Sequence, residues 1–399
     1  MKFYTFSIVG SLIFLFINLY CYKSLSKNTA IKPYKTIFLI IFAIIFIFEL
    51  IYFFSFGFYN ISLLFYRAGI FCMGISFMAF SILLIYDIFG VFVFKFNKTR
   101  RKKNNIILTK FNQICVNLFG TSKFSRSRRR ALRFLLDIGV LIGVCGYILK
   151  GIYNANLSLQ ITKRQVKIKN LTNPLKFAVI SDIHIGEFLK KDFMNKIVTN
   201  INQMKPDGVF IVGDLADLDG IKLGDMLDPL KDLQTKFGVY FVSGNHEYYN
   251  GFDSIIQKVK NLGVRVLENE SVEFGGINLA GVNDISGFRL GFNEPNFANA
   301  LSNLNLNLPT ILLSHQPKSI NFISPNLLEK IDLMICGHTH AGQIFPFGFF
   351  VWLDQKYTYG LYQITQKLQM LVTSGAGFWG PPMRIFSKSE IVELNLIGE

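Results

Sequence analysis

Phe177-Ala178-Val179-Ile180-Ser181-Asp182-Ile183-His184 is an apolar run closed by a short polar block. Four apolar residues bounded by polar ones read as a buried strand. An Asp and a His two residues apart, just beyond such a strand, can face one cation. Such a triplet also arises by chance, so its weight comes from the other histidines. The chain has 5 His. Each falls in a polar block behind an apolar run: Asp182/His184, Gly244-Asn245-His246-Glu247, Ser314-His315 and Gly337-His338-Thr339-His340. Gly213-Asp214 closes one more run of the same kind. No histidine is left over for a structural role.

Working outward, apolar runs at residues 209–212, 239–242, 311–313 and 333–336 read as further strands. Helix-like segments at 189–204, 223–236 and 254–262 lie between several of them. This alternation predicts α/β units with strands buried on both faces. Runs at 264–267, 272–274 and 277–282 are closer together, and Gly275-Gly276 between the last two reads as a hairpin turn. The expected fold class is α/β, as a layered α/β sandwich over residues 175–399. In such sheets ligands gather at the carboxyl ends of the strands. Asp182/His184, Asp214, Asn245/His246, His315 and His338/His340 are then carried to one edge by five strands. Carboxylate, imidazole and carboxamide donors without sulfur suit a divalent ion such as Mn, Fe or Zn. The donors are too many for one ion and enough for two, and two ions sharing a carboxylate are a device for in-line displacement at phosphorus.

The rest of the chain has another character. Of 399 residues 51% are hydrophobic, 42 are Phe, and the net charge is +16. Residues 1–150 hold 20 Lys+Arg against 3 acids (Glu49, Asp87, Asp137), so that part carries +17 and the remainder −1. Apolar stretches at about 3–22, 36–59, 68–94 and 134–153 are each of a length that can span a bilayer, for which roughly 20 residues are needed. The expected organisation is a membrane domain over 1–153 with four transmembrane helices, a linker over 154–174, and the α/β domain. Residues 95–130 hold 12 basic residues and no acid, including Arg100-Arg101-Lys102-Lys103 and Arg128-Arg129-Arg130. Basic loops stay cytoplasmic. With four spans, this places the catalytic domain on the outer face of a bacterial plasma membrane; without the fourth span it is cytoplasmic. The excess charge is read as topology and lipid-headgroup contact, and no nucleic-acid partner is expected. Glu49 and Asp87 fall inside spans, as helix-packing partners or as part of a transport path. Of 5 Cys only Cys336 lies beyond residue 150, so no disulfide forms within the C-terminal part.

Asp182-Ile183-His184, Gly213-Asp214-Leu215-Ala216-Asp217, Gly244-Asn245-His246-Glu247, Ser314-His315 and Gly337-His338-Thr339-His340 resemble, in order and spacing, the calcineurin-like metallophosphoesterases. The resemblance covers about residues 175–397. It is nearest to a bacterial branch of membrane-associated or exported phosphoesterases in which Gly-His-Thr-His is followed by Gly-Gln. Here Ala341-Gly342-Gln343 follows, with Ala341 where Gly is usual. The resemblance implies one metal held by Asp182, His184 and His340, another by Asn245, His315 and His338, and Asp214 bridging. It implies that His246 faces the substrate, protonating the leaving oxygen or stabilising developing charge, and that Asp217 orients it. A bridging hydroxide would be the nucleophile, with no protein nucleophile needed.

Two apolar segments flank these blocks: Ile344-Phe345-Pro346-Phe347-Gly348-Phe349-Phe350-Val351-Trp352 and Gly377-Phe378-Trp379-Gly380-Pro381-Pro382-Met383. They read either as packed loops or a dimer contact, or as a lip that meets the membrane or an acyl chain. On the second reading Phe378, Trp379 and Arg384 face the substrate, and Arg384 and Lys318 engage a headgroup phosphate. The expected function is a membrane-anchored dimetal phosphoesterase acting on a phosphodiester, of a lipid or lipid-linked compound. The alternatives are a cytoplasmic pyrophosphohydrolase of a nucleotide-linked lipid and a catalytically silent membrane sensor.

Overall fold

The computed structural model describes residues 2–27, 32–55, 62–90, 126–155 and 159–399. Two compact units, Met1–Lys150 and Gly151–Glu399, divide the chain. The first holds helices α1 (Lys2–Ser26), α2 (Lys35–Ser55) and α3 (Leu63–Gly90), with most of α4 (Arg126–Ala155). Each carries a stretch long and apolar enough to cross a membrane: Thr5–Ser26, Lys32–Ser55, Leu63–Ile88 and Phe134–Ala155. Polar side chains inside this unit are used between helices. Glu49 on α2 is buried and accepts hydrogen bonds from Asn18 Nδ2 (2.6 Å) and Ser76 Oγ (2.6 Å), so α1, α2 and α3 meet at one carboxylate. Tyr20 donates to Asp87 (3.0 Å) and Tyr86 to Asp137 (2.7 Å). Each of these acids thus joins one helix to another. The Arg100-Arg101-Lys102-Lys103 block and Cys115 lie outside the described residues.

In the second unit the apolar runs become strands of two six-stranded sheets. The first has the order β1-β12-β2-β3-β4-β5: β1 (Gln160–Ile168), β12 (Glu390–Gly398), β2 (Leu175–Ile180), β3 (Gly208–Val212), β4 (Val239–Val242) and β5 (Arg265–Val266). Strands β2 to β5 run parallel, while β12 is antiparallel to β2 and parallel to β1. The second has the order β10-β11-β9-β8-β7-β6: β10 (Gly360–Gln363), β11 (Gln369–Val372), β9 (Leu333–Cys336), β8 (Thr310–Leu313), β7 (Ile277–Gly281) and β6 (Glu270–Phe274). Its middle strands β11, β9, β8 and β7 are parallel, and β6 joins β7 as a hairpin through Gly275 (φ 60°) and Gly276 (φ 83°). Both φ values are positive, which glycine adopts without steric cost.

Period-2 alternation sorts each strand onto two faces. Phe177 and Val179 of β2 point between the sheets with Phe210, Val212, Leu279, Leu313 and Ile335. Ala178 and Ile180 point to the other side, against Ile197 and Ile201 of α5 (Lys191–Met204) and Ile255 and Val259 of α7 (Phe252–Asn261), which follows the short helix α6 (Asn245–Asn250). Outer-facing Leu312, Met334 and Met370 of the second sheet pack with Phe297, Leu301 and Ile331. The result is a layered sandwich of helices, sheet, sheet and helices, with strands buried on both faces.

Two segments differ from the expectation. Residues 154–174, read as a linker, contain β1, whose strand pairs with β12 in register from Gln160 opposite Glu390 to Ile168 opposite Gly398. Only Val166 and Ile168 of its nine residues are buried, so it carries no apolar run. Residues 223–236, read as helix-like, form turns and a short 3-10 helix at Asp228–Asp232. Leu223, Leu227 and Leu230 are buried at helical spacing, but Gly224 takes φ 51° and Pro229 lacks the N–H that a continuous helix would use.

The rings of Phe177 and Phe210 stack at 4.4 Å between the sheets, and both side chains are fully buried. Phe210→Ala should destabilise the second unit by about 3–5 kcal/mol. Thermal unfolding of the full chain in detergent, followed by circular dichroism, checks this. A loss below about 1 kcal/mol would contradict a close-packed interior at that point.

Candidate metal centre

Each polar block continues from the carboxyl end of a parallel strand. Asp182/His184 follow β2, Asp214 follows β3, Asn245 and His246 open α6 behind β4, His315 follows β8, and His338/His340 follow β9. Three of these strands belong to one sheet and two to the other, and backbone hydrogen bonds join the loops within each sheet and from one sheet to the other. The amide of Ile183 donates to Asp214 O (2.9 Å), that of Gly337 to His315 O (2.9 Å), and that of Gly377, beyond β11, to Asp182 O (2.9 Å).

The lacing forces the backbone into unusual shapes. Asp182, His184, Asp214, His338 and His340 all have positive φ, between 48° and 70°. For L-residues this costs roughly 1–2 kcal/mol each, and such strain clusters at functional sites. Ala341, where the resemblance has Gly, also sits there (φ 50°). Two glycines are required by crowding. A Cβ at Gly244 would lie 2.5 Å from Asp214 N and overlap its Oδ1, and one at Gly375 would lie 2.7 Å from Asp182 Cβ.

The side chains form three groups whose ligand atoms lie within 4.8 Å of one another: Asp182/His184/His340, His184/Asp217/His246 and Asp214/His315/His338. In the first, His184 Nε2 is 3.1 Å from His340 Nε2, which is 3.4 Å from Asp182 Oδ1. In the third, His315 Nε2 is 3.2 Å from Asp214 Oδ2, which is also 3.9 Å from His184 Nε2. Asp214 therefore stands between the two outer groups. Asp217 Oδ1 faces His184 Nδ1 (2.8 Å) and His246 Nδ1 (2.7 Å), so one carboxylate orients two imidazoles. His246 also meets the Asp214 carboxylate with Nε2 (4.0 Å), and its amide donates to Asp214 Oδ1 (2.9 Å).

These residues fit divalent cations. Asn245 Oδ1 and His315 Nε2 are buried and accept no hydrogen bond. The carbonyl of Val212 accepts from His315 Nδ1 (2.8 Å), which turns Nε2 toward the Asp214 carboxylate. Asp217 holds His184 in the same tautomer, so its Nε2 lone pair faces His340. Donor atoms bonded to one ion at about 2.0–2.2 Å stand roughly 3 Å apart, which matches the His184–His340 separation. The donors are oxygen and nitrogen only, a borderline set.

Electrostatics agree with a cation-demanding cluster. Burial pushes the Asp182 carboxyl up, whereas at Asp214 the same burial is outweighed by His315 and His246, which hold it well below the usual range. Burial, with His315 next, pushes His338 down to about 3, and burial with His184 and Arg384 lowers His340, so both imidazoles are neutral and keep a lone pair. At His246 burial is outweighed by Asp214 and Asp217, which raise it to about 9. His246 thus holds a proton at neutral pH, with its side chain 13% exposed beside an Asp217 that is 32% exposed.

Two further residues build the site. Glu247 is buried and accepts the amides of Gly244 (2.6 Å), Asp214 (3.0 Å), Leu215 (2.9 Å) and Ala216 (3.3 Å), joining the third block to the second. Its place three residues after Gly244 is the capping position of α6, which was the signal available in sequence. Arg384, expected at the substrate surface, is instead fully buried. Its guanidinium donates to the carbonyls of Ser374, Gly375, Gly377 and His340 and to Ser387 Oγ and Ser389 Oγ. It clamps the loop that lies on Asp182. Phe378 is also turned inward, onto Phe188, and Lys318 is engaged by Asp354 (2.8 Å). Only Trp379 of the expected substrate-side group is open, 49% exposed with its ring 6.4 Å from that of His246.

Residues 175–342 match the family profile of the calcineurin-like phosphoesterases. An uncharacterized metallophosphoesterase of Campylobacter jejuni is 34% identical over 408 residues, covering 100% of both chains. An uncharacterized metallophosphoesterase of Helicobacter pylori is 40% identical over 274 residues, 69% of this chain and 74% of its own. A transmembrane protein with metallophosphoesterase domain from Bos taurus is 34% identical over 287 residues, 68% of this chain and 64% of its own. The chain belongs to the calcineurin-like phosphoesterases: it is a metal-dependent phosphoester hydrolase, membrane-associated, with candidate ligands for that family's dinuclear divalent centre.

Arg384→Met removes a buried cation that satisfies four carbonyls and should destabilise the full chain by about 3 kcal/mol or more, since each orphaned acceptor costs about 1–3 kcal/mol. Thermal unfolding in detergent reads the effect. An unchanged unfolding midpoint with a raised KM would instead return Arg384 to the substrate.

Proposed function

We propose that the protein is a multi-pass membrane phosphodiesterase with a dinuclear metal centre, acting on a lipid or lipid-linked phosphodiester. The observation that carries this reading is the position of Asp214 Oδ2, 3.2 Å from His315 Nε2 and 3.9 Å from His184 Nε2, between the Asp182/His184/His340 group and the His315/His338 pair. Asp182, His184 and His340 would hold one divalent ion, and Asn245, His315 and His338 the other, with Asp214 shared. When bound, such ions polarise a phosphoryl oxygen and lower the pKa of water toward neutrality.

The chain's own residues supply the rest. Asn245 would ligate through its carbonyl oxygen, which is buried without a partner, and would add no negative charge near an anionic substrate. His246 donates a proton to the leaving oxygen from its Nε2 edge, because Asp217 accepts from Nδ1 and fixes the ring. Asp217 binds His184 through the same oxygen, so the proton donor and a metal ligand share one positioning carboxylate. Glu247 and the Arg384 clamp keep the strained loops in place. The four apolar helices and the basic residues 95–130, which stay cytoplasmic, support a catalytic domain on the outer face of the membrane.

Turnover of bis(p-nitrophenyl) phosphate by the full chain in detergent should require manganese and cease on chelation. Asn245→Ala and His338→Ala should abolish it and lower bound metal. His246→Ala should slow kcat by about 10²–10⁴-fold with metal content unchanged. Wild-type turnover in both ligand variants would refute the dimetal site, and loss of metal from His246→Ala would make that residue a ligand.

A further inference from the structure

Aromatic side chains that a water-exposed domain would bury stand on one rim of the metal site. Beyond His340 the chain passes Phe345 and Phe347 and enters helix α8 (Gly348–Gln355). Phe349, Phe350, Trp352 and Leu353 on α8 are all exposed. Their rings lie in sequence, Phe350 to Phe349 at 5.9 Å and Phe349 to Trp352 at 6.0 Å. Phe345 meets Phe386, which is 85% exposed, at 5.8 Å. The rim is fastened to the catalytic residues. Gln343 Oε1 accepts from Trp379 N (2.9 Å) and its Nε2 donates to Trp379 O (2.7 Å), which sets the Trp379 ring beside that of His246. The one acid on α8, Asp354, is engaged by Lys318.

What covers this rim is indicated by the chain itself. Gly151 and Asn154 lie at the end of α4, whose apolar stretch Phe134–Ala155 is of membrane-spanning length. Gly151 O accepts from Arg384 N (2.9 Å), and Asn154 Nδ2 donates to Arg384 O (3.0 Å). Phe386 follows two residues after Arg384. The rim therefore begins two residues from the segment that Gly151 and Asn154 hold. Trp and Phe together, with no free acid on the helix, are the composition that settles at the headgroup level of a bilayer.

We propose that α8, Phe345, Phe386 and Trp379 form a lip that inserts into the interfacial layer of a lipid bilayer, so that His246 and the metal ligands open onto lipid headgroups. The substrate phosphoester then belongs to a lipid resident in that membrane and reaches the site without leaving it. The choice of substrate rests on the phosphodiesterase reading above; the insertion does not.

Trp352 and Trp379 are the chain's 2 Trp, so indole fluorescence reports the lip directly. The full chain, as Trp352→Phe and Trp379→Phe variants, is reconstituted into phosphatidylcholine/phosphatidylglycerol vesicles with acyl chains brominated near the headgroup. Insertion predicts quenching of each remaining Trp by at least about half and blue-shifted emission. Emission of a water-exposed indole, quenched by acrylamide and untouched by brominated lipid, would overturn the proposal. So would blue emission that brominated lipid does not quench and that fades on dilution of protein in the bilayer, because a second copy would then be the cover. For substrate delivery, Phe349→Ser/Phe350→Ser should reduce turnover of vesicle phospholipid at least tenfold and leave bis(p-nitrophenyl) phosphate turnover unchanged. An equal fall with both substrates would reject delivery from the bilayer. If neither substrate is turned over by the wild type, the phosphodiesterase reading fails while the quenching result stands.

Discussion

Asp214 carries a carboxylate that is buried and faces three imidazoles, those of His315, His184 and His246. Removing a charge from water costs several kcal/mol unless opposite charge and hydrogen bonds replace the lost hydration. The surroundings of Asp214 meet this demand from every side. Its amide is fixed by Glu247, its Oδ1 accepts from His246 N, and its Oδ2 faces His315 Nε2, which has no hydrogen-bond partner. The close approach of Gly244 and the left-handed backbone at Asp214 itself are what let the carboxylate reach that position. The two sheets act as a frame whose strand ends converge on this one side chain.

The same cluster separates roles among five chemically identical imidazoles. His338 and His340 are held neutral by burial and neighbouring positive charge, so they offer lone pairs. His246, between Asp214 and Asp217, is held protonated. Environment thus sets His338 and His340 apart from His246, so that one residue type can serve two tasks. Asp217 links the tasks, because its Oδ1 accepts from both His184 Nδ1 and His246 Nδ1.

Much of this was legible in the sequence for a physical reason. Ligands at the ends of parallel strands must follow short apolar runs, so β2, β3, β4, β8 and β9 and their blocks could be read together. Strand β1 could not, because an edge strand that buries only Val166 and Ile168 has no apolar run to find. Residues 223–236 carry leucines at helical spacing, yet Gly224 and Pro229 break the helix that the spacing suggests. Arg384 reads as a substrate-side residue in sequence because it adjoins the apolar segment 377–383. Its burial depends on carbonyls contributed by His340 and by residues 374–377, which no local pattern reveals. Glu247 stands at the capping position of α6, but its bonds to residues 214–216 arise only when β3 and β4 lie side by side.

The central claim is that Asp214 is shared by two ions. Electron paramagnetic resonance of the full chain loaded with manganese tests it most directly. The account predicts an exchange-coupled dimanganese spectrum that Asp214→Asn converts to that of isolated ions or removes. Isolated-ion signals from wild-type protein carrying two manganese ions per chain would contradict it.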